Sequence, residues 1–445
     1  MAQIKGSDVA AGRLPKSDYK ANFADLHPPL SKREALVESD RCFFCYDAPC
    51  QTACPTSIDI PLFIHEIASG HEKSAAVTIF NQNILGGMCA RVCPTETLCE
   101  EACVRNTSED KPVKIGLLQR YATDALMAEK KHPYTRQKRT GKTVAVVGAG
   151  PTGLACAHRL AMHGHSVTMF DARKKSGGLN EYGIATYKSV DDFAQKEVEF
   201  VLAIGGIAVL HGKSLGKKLR LKELQSEFDA VFLGIGLQGV NDLGITNDDA
   251  DGIADAVDYI AELRQAKDVS KLKVGRRVVV IGGGMTAIDV AVQSKLLGAE
   301  DVTILYRRGK EHMKASTFEQ DLAQTKGVKI KHWVAPKKVQ VKAGKAVGMK
   351  CDYMEMKKGK LVATGETFDI AADTIFKAIG QTYEDASGGA LRLESGRIAV
   401  DGEKRTSVSG IWAGGDCAAG GKDLTVSAVD DGRRAAESIH SFLSA

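Results

Sequence analysis

Eight cysteines lie in the first quarter of the chain, in two blocks whose spacing suits metal ligation. The first block contains Cys42, Cys45, Cys50 and Cys54, and the second contains Cys89, Cys93, Cys99 and Cys103. Soft thiolates select zinc, copper(I) or iron–sulfur clusters. Each block contains a Cys-Pro pair, as the bacterial ferredoxin run does, and eight cysteines are too many for one tetrahedral zinc site. The spacing therefore favours two 4Fe-4S clusters.

Two other uses of these cysteines are weaker. Disulfide frameworks belong mainly to small secreted domains, whereas this chain has 445 residues and no apolar leader after Met1. Structural zinc ribbons use paired C-x-x-C knuckles, and only Cys42 and Cys45 have that spacing here. Two structural zinc sites remain the alternative to iron–sulfur clusters.

A glycine-rich turn between two predicted strands indicates a dinucleotide-binding unit. The turn contains Gly148, Gly150, Pro151 and Gly153. It follows the apolar run 143–147 and precedes a predicted helix, and the next strand, 166–170, leads directly to Asp171. Glycines in such a turn let backbone N–H groups approach a pyrophosphate, and an acid about 20 residues further on binds a ribose hydroxyl. The order of strand, turn, helix and acid predicts a bound dinucleotide.

The same pattern recurs in a second unit. The predicted strand 277–281 leads into a turn and helix whose expected cofactor contacts are Gly282, Gly284, Thr286 and Ala287. The next strand, 302–306, is followed by Arg307 and Arg308 instead of an acid. Cationic side chains at this position accommodate a 2′-phosphate, which favours NADP over NAD. A surface salt-bridge pair is the alternative role for the two arginines.

Composition and charge exclude several other classes of protein. The formal net charge is only +5, which does not indicate a nucleic-acid partner. The hydrophobic fraction of 44% and the 45 glycines suit a soluble α/β protein. No apolar run approaches the roughly 18–20 residues that span a bilayer. We therefore expect a cytoplasmic protein that binds neither nucleic acid nor membrane.

The motifs divide the chain into three predicted domains. Residues 1–138 form a helical domain that binds two 4Fe-4S clusters, 139–245 and 376–445 form one nucleotide-binding domain, and 246–375 form the other. The expected fold class is α/β with an N-terminal all-α domain and two Rossmann-like domains, the first of them discontinuous. Within this plan, residues 1–30 are predicted to be irregular, Ser31 to cap a helix, and Lys358 to lie at a hairpin turn.

The C-terminal stretch carries a weaker signal. Residues 410–416 predict a strand, a turn containing Gly415, and an acid, Asp416. Thr425 opens a final helix, whose N-terminal N–H groups can face the negative charge that develops on a flavin. An ordinary edge strand and terminal helix would explain this stretch equally well.

Together these pieces resemble one family over nearly the whole chain. The family comprises the N-terminal half of dihydropyrimidine dehydrogenase, its separate bacterial subunit PreT and the small chain of glutamate synthase. The resemblance rests on the sequence R-C-x-x-C-x-D-A-P-C at 41–50, A-R-V-C-P-T at 90–95, both glycine turns, and G-G-D at 414–416. The family usually has prolines where this chain has Ala185 and Val190, and Met-Pro-Ala where this chain has the run 313–315.

The resemblance implies a ligand set for each cluster. One cluster takes Cys42, Cys45, Cys50 and Cys103, and the other takes Cys54, Cys93, Cys99 and Gln119. Cys89 is then not a ligand. Gln119 is similar to the glutamine of dihydropyrimidine dehydrogenase and PreT, whereas glutamate is expected in the glutamate synthase small chain. A neutral amide in place of a thiolate makes the cluster less negative by one charge, so a raised reduction potential is expected.

The resemblance also implies FAD and a nicotinamide. The family's FAD contacts correspond here to Gly148, Gly150, Pro151, Gly153, Asp171, Gly178, Leu179, Gly415, Asp416 and Thr425. The second glycine turn then binds NAD(P)H. The PreT branch implies NAD, whereas Arg307 and Arg308 are similar to those of NADP users. Catalysis would be cofactor-based, with no side-chain acid, base or nucleophile.

An electron-input subunit is the implied function. Electrons would pass from NAD(P)H through FAD and two clusters to an FMN- and iron–sulfur-containing partner, in a heterotetramer. The partner would bind the pyrimidine and reduce uracil or thymine at the 5,6-bond. One rival function is electron supply to another acceptor, as in glutamate synthase, and a second is a nonenzymatic redox-sensing or scaffold protein with inert nucleotide folds.

Overall fold

The computed structural model describes residues 9–445. The α-helices within them are α1 (Lys16–Asn22), α2 (Lys32–Ser39), α3 (Pro49–Ala53), α4 (Ile60–Ala68), α5 (Glu72–Gln82), α6 (Gly86–Val92), α7 (Val104–Glu109), α8 (Ile115–Met127), α9 (Pro151–Met162), α10 (Leu179–Tyr182), α11 (Phe193–Leu202), α12 (Leu221–Glu227), α13 (Ala256–Gln265), α14 (Met285–Leu296), α15 (Thr317–Thr325) and α16 (Thr425–Ser444). No helix in the described part is long and apolar enough to cross a membrane.

The strands fall into two five-stranded parallel sheets, two antiparallel sheets and one short pair. They are β1 (Thr143–Val147), β2 (Ser166–Asp171), β3 (Ile207–His211), β4 (Ala230–Leu233), β5 (Gly239–Val240), β6 (Ile253–Asp255), β7 (Arg277–Ile281), β8 (Asp301–Tyr306), β9 (Val328–His332), β10 (Val334–Lys342), β11 (Lys345–Lys357), β12 (Lys360–Ala371), β13 (Thr374–Lys377), β14 (Gln381–Thr382), β15 (Leu393–Glu394), β16 (Arg397–Ile398) and β17 (Ile411–Ala413).

The chain forms two compact units. The larger unit comprises His27–Glu181, Asp191–Gly239 and Thr382–Ala445. Its five-stranded sheet has the order β17-β4-β1-β2-β3 with every pair parallel. Buried apolar residues such as those of β1 occupy both faces, as expected for a strand covered by helices on each side.

The N-terminal helices of the larger unit share a core with this sheet. The rings of Phe80 on α5 and Phe200 on α11 lie 4.9 Å apart, within one continuous apolar cluster. The predicted start of α2 is confirmed, because Ser31 accepts a hydrogen bond from the Glu34 backbone and Glu34 accepts one from Ser31 in return. The helical segment is therefore packed onto the first nucleotide-binding sheet.

Within the described residues, the smaller unit comprises 9–26, Tyr182–Val190 and Val240–Gln381. Its parallel sheet has the order β6-β13-β7-β8-β9, and β10, β11 and β12 form an antiparallel sheet. The hairpin turn between β11 and β12 is at Lys358 and Gly359, as predicted, and both have positive φ, which matches the twist of a two-residue hairpin. The α/β fold with two Rossmann-like sheets is confirmed.

The boundaries of the units differ from the predicted domains. The smaller unit extends to residue 381 instead of 375 because β13 pairs with β6 and β7. Residues 9–26 also belong to the smaller unit, since the Ala11 backbone donates to the Val274 carbonyl and Asn22 donates to the Leu296 carbonyl, both at 2.9 Å. The expectation that residues 1–30 are irregular is wrong over α1, where Tyr19 is buried; residues 1–8 lie outside the described part.

Candidate redox-cofactor sites

Four cysteines line one apolar pocket of the larger unit. They are Cys42, Cys45, Cys50 and Cys103. The first two follow α2, the third lies in α3, and the fourth directly precedes α7. Ile60, Ile64 and Ile115 form part of the apolar wall. The segment that contains residues 42–50 and the residue before α7, which are more than 50 positions apart, thus bring together the first predicted ligand set.

Two of these thiols, those of Cys42 and Cys50, have raised pKa values. Burial raises the pKa of Cys50 to about 12, and the thiols of Cys103, Cys42 and Cys45 add to the increase. Burial also raises the pKa of Cys42. Such thiols are poor free nucleophiles, but a bound metal deprotonates them because the thiolate is the ligand. The set therefore fits a thiolate-ligated cluster.

A second group of thiols forms where α3 and α6 end. Cys54 is the C-cap residue of α3, and Cys93 is the C-cap residue of α6. Cys99 follows a short helical turn after Cys93. The pKa of Cys93 is raised well above normal by a hydrogen bond with Cys89, by burial, and by the neighbouring Cys99 and Cys54. Burial, Glu100 and Cys54 raise the pKa of Cys99 in the same direction. The second predicted set of thiols is thus also brought together.

The side chain of Gln119 joins α8 to the start of α6. Its side-chain Nε2 donates a 2.7 Å hydrogen bond to the carbonyl of Gly86, the first residue of α6. This bond uses the amide nitrogen, and no described residue donates to the carbonyl oxygen Oε1. An amide oxygen without a donor, on a side chain that is mostly buried, fits the role of a neutral cluster ligand.

Cys89 is the fifth thiol near the second group. It lies four residues before Cys93 on α6, so both side chains are on one helix face, and it is buried. The structure alone does not separate Cys89 from the predicted ligands. None of the eleven cysteines, all within the described residues, forms a disulfide.

The arrangement of side chains does not suit a single metal ion. Zinc holds its thiolates about 2.3 Å from one centre. Within residues 9–445, no three His, Cys, Asp or Glu side chains are arranged to hold one ion. A polynuclear cluster spreads its ligands over several metal atoms and does not require them to meet at one point.

The first glycine turn is shaped for close backbone approach. Gly148 has φ of +102°, and a Cβ there would lie 2.2 Å from the Gly234 carbonyl oxygen; a Cβ at Gly153 would lie 1.8 Å from the Gly148 oxygen. Pro151 occupies the first position of α9, where a missing N–H has no cost. Asp171 Oδ2 accepts a 2.7 Å hydrogen bond from Ala149, which fixes the turn against the end of β2.

Several other predicted FAD contacts surround this turn. A Cβ at Gly178 would lie 2.7 Å from the Gly150 Cα, so the segment that carries Gly178 and Leu179 passes directly over the turn. Thr425 Oγ1 donates to Asn180 Oδ1 at 2.8 Å, which joins the start of α16 to α10. These contacts leave a cradle that side chains at the glycine positions would fill.

The carboxylate of Asp416 is available to accept a hydrogen bond. Burial raises its pKa to about 6, and nearby Asp423 adds to the rise while Arg397 opposes it. Its neighbour Gly415 is fixed by a 2.9 Å hydrogen bond from its N–H to Asp431. No described residue donates a hydrogen bond to the Asp416 carboxylate, which fits an acceptor for a hydroxyl of the flavin side chain.

The second glycine turn lies in the smaller unit, between β7 and α14. Gly282 has φ of +142°, and a Cβ there would lie 2.1 Å from the Ala378 carbonyl oxygen. At Gly284 the space is open, as an approaching pyrophosphate requires. Thr286 and the buried Ala287 form the first turn of α14. This geometry fits a dinucleotide at the helix N-terminus.

Arg307 and Arg308 follow β8 and are exposed. Neither guanidinium makes an ion pair or hydrogen bond with another described residue, so the salt-bridge alternative is not observed. Two exposed guanidinium groups at the end of this strand fit an anionic group on the nucleotide ribose.

Sequence reasoning missed two sites with buried ionisable side chains. In the smaller unit, Lys188 lies 2.8 Å from Asp289 and 2.6 Å from Glu319, all nearly inaccessible to solvent. In the larger unit, Glu197 of α11 is buried and accepts a 2.8 Å hydrogen bond from the Met88 backbone on α6. No motif marks these residues, although a charge within an apolar helix face is the pattern that could have suggested Glu197.

Two protein-family models match the chain, one in its N-terminal part and one in the remainder. Residues 19–131 match the model described as dihydropyrimidine dehydrogenase domain II, 4Fe-4S cluster. Residues 142–432 match the model described as pyridine nucleotide-disulphide oxidoreductase. These ranges coincide with the helical segment that carries the cysteines and with the two nucleotide-binding sheets.

Two full-length relatives are informative. The chain is 34% identical to the glutamate synthase [NADPH] small chain of Escherichia coli K12, covering 97% of this chain and 96% of that protein. It is 32% identical to the NAD-dependent dihydropyrimidine dehydrogenase subunit PreT of the same strain, covering 97% and 98%.

Solved structures agree on the fold. Thioredoxin reductase of T. acidophilum superposes with a TM-score of 0.54 at 23% identity, over 68% of this chain and 100% of that one. FprA of Mycobacterium tuberculosis in complex with NADPH gives 0.57 at 19%, over 68% and 85%. The chain therefore belongs to the pyridine nucleotide-disulphide oxidoreductase family, with an added N-terminal 4Fe-4S domain, and is an NAD(P)H oxidoreductase.

Proposed function

We propose that this chain is the electron-input subunit of a dihydropyrimidine dehydrogenase. It takes electrons from NAD(P)H and passes them to a partner subunit that contains FMN and iron–sulfur centres and reduces uracil or thymine. The assembly is a heterotetramer, and the pyrimidine binds to the partner. The many reduced cysteines suit the cytoplasm.

The cofactors are held by the residues described above. One 4Fe-4S cluster is ligated by Cys42, Cys45, Cys50 and Cys103, and the other by Cys54, Cys93, Cys99 and Gln119. When bound, FAD and the clusters supply hydride acceptance and single-electron transfer. The protein's part is binding and orientation: the first glycine turn and Asp416 hold FAD, and the second glycine turn holds the nicotinamide dinucleotide.

The proposed acceptor is inferred mainly from the glutamine at position 119. Its amide nitrogen is committed to the Gly86 carbonyl, so an oxygen is the ligand that remains. Glutamine at this position is the feature that the sequence shares with dihydropyrimidine dehydrogenase and PreT. The PreT relatives at 32% identity over nearly their whole length support the same choice.

A second candidate is electron donation to another acceptor subunit, as in glutamate synthase. The glutamate synthase small chain is similar at 34% identity, which is no lower than the identity to PreT. The two candidates share the cofactors and differ only in the partner.

A reconstitution experiment separates the candidates. The chain is purified anaerobically, and bleaching of its flavin is followed on addition of NADH or NADPH. The FMN-containing partner and uracil are then added. Uracil-dependent oxidation of the nicotinamide only with the partner is the expected result. Flavin reduction without uracil turnover would reject the proposed acceptor, and the glutamate synthase large chain with glutamine and 2-oxoglutarate would be tested next.

A further inference from the structure

Glu197 is a buried carboxyl group that the proposed function does not use. It lies on α11 with 1% of its surface exposed. Its Oε1 accepts a 2.8 Å hydrogen bond from the Met88 N–H, and the Gly87 N–H also bonds to this carboxyl group. Glu197 forms no ion pair with a described residue. A buried carboxylate without a contacting cation is strongly disfavoured, so the proton is retained to a higher pH than usual.

The carboxyl group lies at the start of the helix that leads to Cys93. α6 has no side-chain cap of its own, and Glu197 satisfies two of its first N–H groups. The carbonyl of Gly86, the first residue of α6, accepts the Gln119 amide. One residue of the proposed second cluster site, Gln119, is thus tied to the helix end that Glu197 contacts, and another, Cys93, follows the opposite end of the same seven-residue helix.

The charged groups around Glu197 come from two other helices. Arg91 of α6 lies 3.4 Å above the Phe193 ring of α11 and forms a two-bonded ion pair with Asp124 of α8. Arg91 lowers the pKa of Glu197 and Asp124 raises it, but burial is the larger cause and raises the pKa to about 8.

Other titratable groups near α11 do not add a second change of protonation state near pH 7. The ring of His132 stacks on Phe200, and His132 contacts His158 of α9. Burial lowers the pKa of His132 and lowers that of His158 to about 3, so both are neutral. Lys196 and Glu199, on the same helix, are exposed to solvent.

We propose that Glu197 is a positioning residue whose protonation is linked to reduction of the second cluster, so that in alkaline solution, where the carboxyl group of the oxidised form is ionised, one proton enters it as one electron enters the cluster. The inference rests on the proposed function, which supplies the cluster. The electron comes from NAD(P)H and the proton from water. Reoxidation returns both, so the buried region does not accumulate negative charge.

Thermodynamic linkage between proton binding and reduction determines how the reduction potential depends on pH. An added electron makes the surroundings more negative and raises the pKa of Glu197, so the reduced form binds the proton more tightly. Below about pH 7 Glu197 is protonated in both redox states, and the potential does not depend on pH. As pH rises through about 8, the oxidised form loses the proton first and the reduction potential falls.

The test is a redox titration of the loaded protein between pH 6 and pH 9.5, followed by electron paramagnetic resonance. The second cluster is identified as the one whose potential changes in Gln119→Cys. We expect a pH-dependent potential in the wild type, and in Glu197→Gln a pH-independent potential equal to the wild-type value at low pH. Glu199→Gln, an exposed change on the same helix, is the matched control and should behave like the wild type.

A pH-independent potential in the fully loaded wild type, or a retained pH dependence in Glu197→Gln, would overturn the inference. The wild-type titration decides by itself if Glu197→Gln does not load. Iron analysis separates this failure from that of the proposed function: a protein that cannot hold a second cluster contradicts both, whereas two clusters with a constant potential contradict only the role of Glu197.

Discussion

The side-chain amide of Gln119 on α8 donates a 2.7 Å hydrogen bond to the carbonyl of Gly86, the first residue of α6. The two residues are 33 positions apart in sequence, and the bond fixes which end of the amide is nitrogen. It therefore leaves the amide oxygen as the group available to a metal, which is the relationship on which the proposed second cluster site depends.

Replacing Gln119 with cysteine should lower one cluster potential. A thiolate adds one negative charge to the cluster where the amide oxygen was neutral, and negative charge disfavours a further electron. The potential of the other cluster should not change, which provides the internal control. Redox titration monitored by electron paramagnetic resonance measures both. Two unchanged potentials would show that residue 119 is not a ligand.

Cys89 within α6 and Cys93 at its C-terminal end are four residues apart and hydrogen-bonded to each other, which makes them a matched pair of thiols. Cys93→Ala should remove about half of the iron, since one of two 4Fe-4S clusters loses a ligand. Cys89→Ala should keep the full iron content, because Cys89 is not in the proposed ligand set. Iron and sulfide analysis of anaerobically purified protein checks both variants. Loss of iron in Cys89→Ala alone would instead make Cys89 the ligand.

Arg307 and Arg308 should determine the choice between NADPH and NADH. Charge-assisted hydrogen bonds to a 2′-phosphate contribute about 1.5–3 kcal/mol, so replacing both residues with alanine should lower kcat/KM for NADPH about 10–100-fold. The value for NADH should change little, because NADH has no phosphate at this position. Steady-state flavin reduction with both nucleotides measures the ratio. Arg220→Ala, an exposed arginine elsewhere, is the control, and equal losses with both nucleotides would reject phosphate recognition.

Asp416→Asn should weaken FAD binding but stabilise the apoprotein above pH 6. Burial raises the pKa of Asp416 to about 6, so the folded state resists ionisation that the unfolded chain permits. The contribution of Asp416 to the free energy of unfolding of the wild-type apoprotein is thus fully present below about pH 4. This contribution is lost as the pH rises through 6. At pH 8 the variant should gain about 1–3 kcal/mol in the free energy of unfolding.

Denaturant unfolding of flavin-free protein at pH 4 and pH 8 measures this effect. The stability difference between Asp416→Asn and wild type should vanish at pH 4, which is the internal control. Fluorescence titration with FAD measures the accompanying loss of affinity. Equal stabilities at both pH values, with unchanged affinity, would contradict the role assigned to this carboxylate.

Lys188→Met should destabilise the smaller unit. The change leaves the carboxylates of Asp289 and Glu319 buried together without their shared cation, and breaking a buried ion pair in this way costs about 3–5 kcal/mol. The triple variant that also carries Asp289→Asn and Glu319→Gln should recover much of the loss. Thermal unfolding measures both. No recovery in the triple variant would show that Lys188 acts through packing and not through charge.

The sequence by itself determined the local elements and the type of chemistry. The strands at 143–147 and 277–281 have the predicted bounds, because runs of β-branched residues followed by glycine turns have few alternative conformations. The capping box at Ser31 and the hairpin at Lys358 were likewise readable from neighbouring residues. In each case the deciding interactions are between residues a few positions apart.

The tertiary structure decided which distant residues meet. Cys103 joins Cys42, Cys45 and Cys50 in one pocket although about 50 residues separate it from the nearest of them, a grouping that spacing alone did not provide. The Gly86 contact of Gln119, the burial of Glu197 against α6 and the grouping of Lys188 with Asp289 arise in the same way. Such contacts follow from how helices pack, and packing depends on surfaces contributed by the whole chain.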